Sequence, residues 1–462
     1  MKLTKSFLMD RQTFADLEIF EGRGVKNSIF KFFDRAISHG GKEELLDMFY
    51  CPLSDSKAIL ERQGLIAYIY SDRLSFSIDR YLLDFIESYL LLSNKPVKVS
   101  RFNAWHKYLK YQFQPTNEYY IVQRGIRYVI EFLQELYAAG TEKNEQKLPD
   151  LLEKQFIFIA NSIRNTELRR IIGFDTKKKI NALDRERFDY IFRFCEYENL
   201  KDILQIVYRI DAFRAVAETM CELGLVFPEI TDSKEIEITG LYHPFVKDAV
   251  TNDVRISEEG NLFFVTGANM AGKSTFLKAF GVAVYLAHMG FPVAAAFMRT
   301  GGFNGLFSTI NIADDLNKGY SHFYSEVLRV KNVAEEINRT GNLIVIFDEL
   351  FRGTNVKDAH DASLSIISAF AGVKGSVFLV STHIMEVADQ LRRSKNIRFG
   401  YFHTTIDGKT PVYSYRLHDG VTEERLGMLI IENEGIVEII NEQQKTYQKI
   451  NKNDILCAQN RF

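Results

Sequence analysis

Residues Gly267 to Thr275 read Gly-Ala-Asn-Met-Ala-Gly-Lys-Ser-Thr and follow the apolar run Leu262-Phe263-Phe264-Val265. A buried strand therefore runs directly into a glycine-rich loop, and the helix-forming stretch Phe276 to Phe280 comes next. The spacing is that of a Walker A loop in its expected context. Its glycines let the backbone curl until successive N–H groups converge on phosphate oxygens, a lysine at 273 reaches the outer phosphates, and a hydroxyl at 274 ligates Mg²⁺. The pattern marks Gly267, Ala268, Asn269, Met270, Ala271, Gly272, Lys273, Ser274 and Thr275 as candidate nucleotide-binding residues. Lys273 is in addition a candidate catalytic group and Ser274 a candidate metal ligand. A fortuitous glycine-rich turn is the bland reading, and the strand and helix on either side weigh against it.

A second run, Leu343-Ile344-Val345-Ile346-Phe347, ends in Asp348-Glu349. Continuous apolar, β-rich character is that of a strand buried on both faces, and such a strand delivers its terminal side chains to the carboxyl edge of a parallel sheet. Asp348 is the candidate metal ligand and Glu349 the candidate general base for an attacking water. Alone, this run reads equally well as a strand ending in a solvated acidic turn. The glycine loop upstream makes it a Walker B strand, and the pair implies ATP and Mg²⁺.

A chain of 462 residues exceeds a single ordinary core, so more than one domain is expected. Its net charge of −2 argues against electrostatic coating of a nucleic acid, and any such contact must come from local patches. Cys51, Cys195, Cys221 and Cys457 are widely spaced with no C-x-x-C, which reads as reduced packing residues in a cytoplasmic protein. The N-terminus has no apolar stretch of signal-peptide type. Ala279 to Met298 is the longest apolar stretch, but Gly281, His288, Gly290 and Pro292 interrupt it. It reads as the helix after the loop, a turn and a strand, not as a membrane span.

Up to about residue 235 the pattern is helical. Ile203, Val207, Ile210, Phe213, Ala217, Met220 and Cys221 form one stripe of a long helix that stops near Gly224, and Ile78 to Leu92 and Gln123 to Ala139 read as further helices. From Ile236 short β-rich runs alternate with helices, as in an α/β sheet. The expected division is a helical domain at 1–235, an α/β domain at 236–442 and a short polar tail at 443–462. The helical part has one basic cluster, Arg164, Arg169, Arg170, Lys177, Lys178 and Lys179, read as a solvated loop in preference to a phosphate-contacting tip. The aromatic group Trp105, Tyr108, Tyr111, Phe113 fits a core or helix seam better than a base-stacking platform.

The full loop Thr266 to Thr275 resembles the T-G-x-N-M-x-G-K-S-T loop of the MutS family, and Asn269-Met270 separates it from other P-loop ATPases. Further resemblances follow in chain order. Tyr242-His243-Pro244 is similar to the family's entry to its ATPase domain, and Asn252 stands at the spacing of a family asparagine. Ala313 to Phe323 resembles x-D-D-L-x-x-G-x-S-T-F, Asp348 to Thr354 resembles D-E-x-x-R-G-T, and Ser381-Thr382-His383 resembles A-T-H. Leu417 to Gly420 is similar to the last strand, Leu45 to Leu65 to the opening of the core helical domain, and Asp211 to Gly224 to the end of the lever helices.

The resemblance implies a multi-domain α plus α/β architecture: an all-helical core and lever domain followed by an ABC-type P-loop NTPase domain. It implies a DNA-associated ATP hydrolase acting at composite sites of a dimer, with a homodimer, DNA and other repair proteins as partners. Ser321 would face the γ-phosphate held by the other subunit, its local alternative being a helix N-cap. His383 would contact the γ-phosphate or attacking water, its alternative being a satisfied strand-end histidine. Arg352 would lie in the loop meeting the opposing subunit. Where the family carries an adenine-stacking aromatic this chain has Ala249-Val250, and Tyr415 is the candidate replacement. Ala271 and Phe351 replace glycines, and His322 replaces threonine.

No F-x-E mismatch-reading wedge is recognised around Phe20-Glu21, and the chain between core opening and loop is short for a separate β-rich clamp. A reduced clamp is therefore expected. The competing reading is an ATP-switched dimeric scaffold that recruits proteins without intrinsic DNA affinity.

Overall fold

The computed structural model describes residues 7–22, 27–71, 76–93, 96, 117–141, 148–310, 322–351, 354–382, 384–407, 410–422 and part of 433–442. Helices come first: α1 (Arg11–Asp16), α2 (Ile29–Phe33), α3 (His39–Tyr50), α4 (Ser56–Tyr70), α5 (Arg80–Leu90), α6 (Asn117–Thr141), α7 (Asp150–Arg164), α8 (Leu168–Ile171), α9 (Ala182–Tyr190), a π-turn at Ile191–Cys195 and α10 (Tyr197–Leu223). Side-chain caps set several starts. Ser38 accepts from Gly41 N, and Asp79 accepts from Tyr81 N and Leu82 N, which starts α5 two residues later than the apolar pattern predicts. Gly224, at φ 64°, closes α10 where the sequence places its end.

Two of the expected details differ. Along the α10 stripe Ile203, Val207, Ile210, Phe213 and Ala217 are buried, but Met220 is only half-buried and Cys221 is exposed. Cys51 and Cys195 are exposed as well. The three described cysteines are thus surface thiols and not packing residues; sulfur's apolar character carries no information about which side of a helix faces out.

β-Structure begins with β1 (Glu229–Thr231), ahead of Ile236. Then follow β2 (Ile236–Leu241), β3 (Asn252–Ile256), β4 (Leu262–Gly267), α11 (Lys273–His288), β5 (Phe297–Gly301), β6 (Gly305–Thr309), α12 (His322–Thr340), β7 (Leu343–Asp348), α13 (Val356–Ala371), β8 (Val377–Ser381), α14 (Met385–Leu391), β9 (Ile397–Asp407) and β10 (Thr410–Asp419). A four-stranded sheet has the order β1-β5-β2-β3, and a six-stranded sheet the order β10-β9-β4-β8-β7-β6. The larger sheet is parallel except for β10, which pairs antiparallel with β9.

Alternation along the central strands divides the core. Phe263, Val265, Ile344 and Ile346 join one cluster with α11 and the helical part, while Leu262, Phe264, Val345 and Phe347 join another with α12, α13 and α14. The chain's opening segment docks on the sheet. Leu8 pairs with Gly305, and Asp16 accepts from Ser308 Oγ at 2.8 Å and Ile310 N at 2.9 Å. The far end of α11 is fixed to the helical part: Leu53 N donates to His288 O at 2.7 Å, Tyr285 OH to Phe49 O at 2.6 Å, and Arg62 to Met289 O at 2.8 Å. No described helix is long and apolar enough to cross a membrane.

Candidate active site

Strand β4 is buried along its length and ends in Gly267, whose φ of 140° starts the loop. Met270 at 69° and Gly272 at 107° complete the curl, and Gly272 leads into α11. Ala271 is not among the residues with positive φ, so its methyl is accommodated without backbone strain. The left-handed position falls on Met270, whose side chain is exposed. Close approach explains the glycines: a Cβ on Gly267 would stand 3.2 Å from Phe402 O, and one on Gly272 would stand 3.3 Å from the Tyr415 ring.

Lys273 is buried at the start of α11 and donates to Gly267 O at 2.8 Å and Ala268 O at 3.0 Å. Its Nζ lies 3.9 Å from Glu349 Oε1. Ser274 and Thr275 are exposed on the first turn of the helix. Across the sheet, β7 ends in the buried carboxylate of Asp348, which accepts a hydrogen bond from Ser381 Oγ. Glu349 has a left-handed φ of 55°, and its N–H is shared between Ser381 O at 3.1 Å and Ser381 Oγ at 3.3 Å.

These groups meet at a cleft of about 630 Å³. Its walls are the loop residues Asn269, Met270, Gly272 and Lys273, the hydroxyls of Ser274 and Thr275, Glu349, the 241–250 segment with Asn252, and the rings of Phe402 and Tyr415. Tyr415 sits at the irregularity of register between Tyr413 and Leu417, at φ 53°. Asn252 holds that irregularity. Its Nδ2 donates to Tyr415 O at 3.1 Å and Val250 O at 3.3 Å, and its Oδ1 accepts from Leu417 N at 2.7 Å. The asparagine amide is thus engaged with backbone and acts on the cleft through Tyr415. His243 also lines the cleft, and burial holds it below the ordinary histidine value.

Of the sequence-selected residues, Asn269, Met270, Gly272, Lys273, Ser274, Thr275, Glu349, Asn252 and Tyr415 line this one cleft, with Asp348 at the adjoining strand end, whereas Gly267, Ala268 and Ala271 shape the loop without lining it. Ser321, Arg352 and His383 lie outside the described residues, as does the Trp105 cluster. Sequence reasoning missed Phe402, the Val246-Lys247-Asp248 wall and the hydroxyl of Ser381. Only knowledge of strand order could have found Ser381, because it is the ladder neighbour of Asp348 across β7 and β8.

Glycine loop, carboxylate pair and cleft together define an α/β domain whose site is built at the carboxyl ends of parallel strands, between a strand–loop–helix unit and its neighbouring strand. Residues 263–451 match the family model described as MutS domain V. Relatives named DNA mismatch repair protein MutS include those of Persephonella marina (29% identical over 316 residues, 66% of this chain), Fusobacterium nucleatum (27% over 328 residues, 67%) and Aquifex pyrophilus (26% over 328 residues, 68%). Over these residues the chain is similar to the MutS family. It spans 36%, 36% and 38%, respectively, of the length of those relatives.

Proposed function

We propose that this chain binds ATP with Mg²⁺ in the 630 Å³ cleft and hydrolyses it, as a dimer, in a DNA transaction related to mismatch repair. The observation that carries this reading is the convergence on one cleft of the 267–275 loop, Glu349 and a separate aromatic wall, three parts distant in sequence. The residues suit the groups. Loop N–H groups and the α11 N-terminus favour a polyanion. The Ser274 hydroxyl and Asp348 carboxylate are the hard oxygen donors that Mg²⁺ accepts. Bound Mg²⁺ would supply charge neutralisation on the phosphates.

The chain's own residues then have distinct roles. Lys273, now on Gly267 O and Ala268 O, is placed to exchange those carbonyls for phosphate oxygens. Glu349 orients and deprotonates the water. Tyr415 lies along the base end of the cleft, held by Asn252. Ser321 and His383 carry the roles that the family resemblance gives them. In the dimer, Ser321 would complete the other chain's site.

The test is turnover of ATP by purified protein and by Glu349→Gln. The variant should keep nucleotide binding and lose turnover by a factor on the order of 10²–10⁴, as for loss of a general base. Unchanged turnover would remove Glu349 from that role, and absence of nucleotide binding in the wild type would sink the whole reading.

One observation favours the scaffold alternative for the DNA part. Much of the exposed basic cluster of the helical part is already engaged: Arg164 Nε donates to Tyr137 OH at 2.9 Å, Arg170 lies 3.7 Å from Glu167, and Lys178 lies 4.0 Å from Asp175. Binding of duplex or branched DNA that weakens steeply with salt supports direct contact. No binding to any DNA at low salt supports the scaffold.

A further inference from the structure

Ser381 ends β8 between the two strands that carry the site. It is in register with Val265 on β4 and with Asp348 on β7, and it is fully buried. Its hydroxyl donates to Asp348 Oδ1 and accepts, at 3.3 Å, from the N–H of Glu349. The 3.1 Å bond from Glu349 N to Ser381 O would form with any residue at 381, since it uses only main chain. The hydroxyl bonds would not.

Two mobile properties are fixed by this one oxygen. A carboxylate at a strand end can rotate about its terminal torsion with little penalty; a donor on Oδ1 selects one orientation and would leave Oδ2 available to a metal. A non-glycine residue with φ near 55° is disfavoured unless its surroundings hold it. The Ser381 hydroxyl adds a second acceptor to the Glu349 N–H and so supports the turn that aims the glutamate into the cleft.

We propose that Ser381 is a positioning residue for both carboxylates, orienting Asp348 toward the metal and Glu349 toward the water. The inference rests on the reading of the cleft as a Mg–ATP site. Partners that orient a metal's ligands typically cost 10- to 100-fold in metal affinity when removed, so an effect of about tenfold is expected here.

The experiment titrates Mn²⁺ into the protein–ADP complex and follows free Mn²⁺ by electron paramagnetic resonance, for wild type, Ser381→Ala and Ser381→Thr. Binding of a fluorescent ATP analogue in EDTA is measured alongside. The expected result is about tenfold weaker Mn²⁺ binding in Ser381→Ala, recovery in Ser381→Thr, and unchanged nucleotide binding in EDTA. Equal Mn²⁺ affinity in wild type and Ser381→Ala overturns the inference, and so does a parallel loss of metal-free nucleotide binding, which would mark a general packing defect. If the wild type itself binds no nucleotide, the Mg–ATP reading falls first and is identified by that result.

Discussion

The turn after β7 holds two non-glycine residues in the left-handed region, Glu349 at 55° and Phe351 at 65°. Phe351 stands where related motifs carry glycine, and the φ value explains why glycine suits that position. Here burial substitutes for conformational freedom: the ring is 3% exposed and lies 5.7 Å from Phe323. On the opposite face of the sheet, His288 is an enclosed histidine in the last turn of α11. Leu53 O can only accept, so Nδ1 carries the proton in the 2.9 Å contact, and the ring stacks on Phe7 at 4.1 Å. Burial pushes its pKa down to about 4, with the nearby Lys234 charge acting in the same direction. The folded state therefore resists a proton that the unfolded chain takes up near pH 6.5. Stability from this group is fully present above pH 6.5 and falls as pH drops toward 4, by a total on the order of 3 kcal/mol. Chemical denaturation at several pH values should show a shallower decline for His288→Asn than for the wild type. Equal slopes would mean that His288 is not the group that titrates.

At the scale of elements, close contact between α3 and α10 is set by two glycines. A Cβ on Gly40 would stand 2.4 Å from the Tyr208 ring, and one on Gly41 would stand 2.3 Å from Asp211 Oδ2. That carboxylate is fully buried and accepts from Ser38 N at 2.8 Å and Ser38 Oγ at 2.7 Å, so it ties the start of α3 to α10. Gly40→Ala should destabilise by about 1–3 kcal/mol through overpacking. Gly64 provides the contrast, since it is exposed within α4 and has nothing within 4 Å of its Cβ position. Gly64→Ala should stabilise by roughly 0.5–1 kcal/mol, the helical difference between the two residues. Equilibrium unfolding in urea separates the two, and a neutral Gly40→Ala would contradict the packing. Elements with a long apolar period were legible in sequence: α10 ends at Gly224, and β4, α11 and β7 fall where the motifs require. β1 was not, because three residues carry no period, and its pairing with β5 joins positions about 70 residues apart. Nor was the docking of Leu8 to Asp16 on β6, which adds backbone pairing and two hydroxyl contacts to a few apolar contacts that carry no period.

Across the whole molecule, α11 is a common member. Its N-terminal Lys273 enters the cleft, while its C-terminal end is bonded to Phe49, Leu53 and Arg62 of the helical part. Lys278 in its middle meets Glu18 at 2.7 Å. A displacement of the loop along this helix would therefore be felt in α3 and α4, a route between the cleft and the helical part. The composite-site reading adds a second chain to that route and can be tested by mixing. Lys273→Ala removes a chain's own phosphate site but leaves its Ser321, and Ser321→Ala does the reverse. Each variant alone should be nearly inactive. In a mixed dimer the intact phosphate site of the Ser321→Ala chain would be completed by the serine of the Lys273→Ala chain, giving one working site out of two. Random exchange makes half of the dimers mixed, so an equimolar mixture should recover about one quarter of wild-type turnover per chain. Recovery that appears only when the two variants are allowed to exchange subunits supports a shared site. A Ser321→Ala protein with full activity by itself, or a mixture no more active than its components, would show that each chain completes its own chemistry.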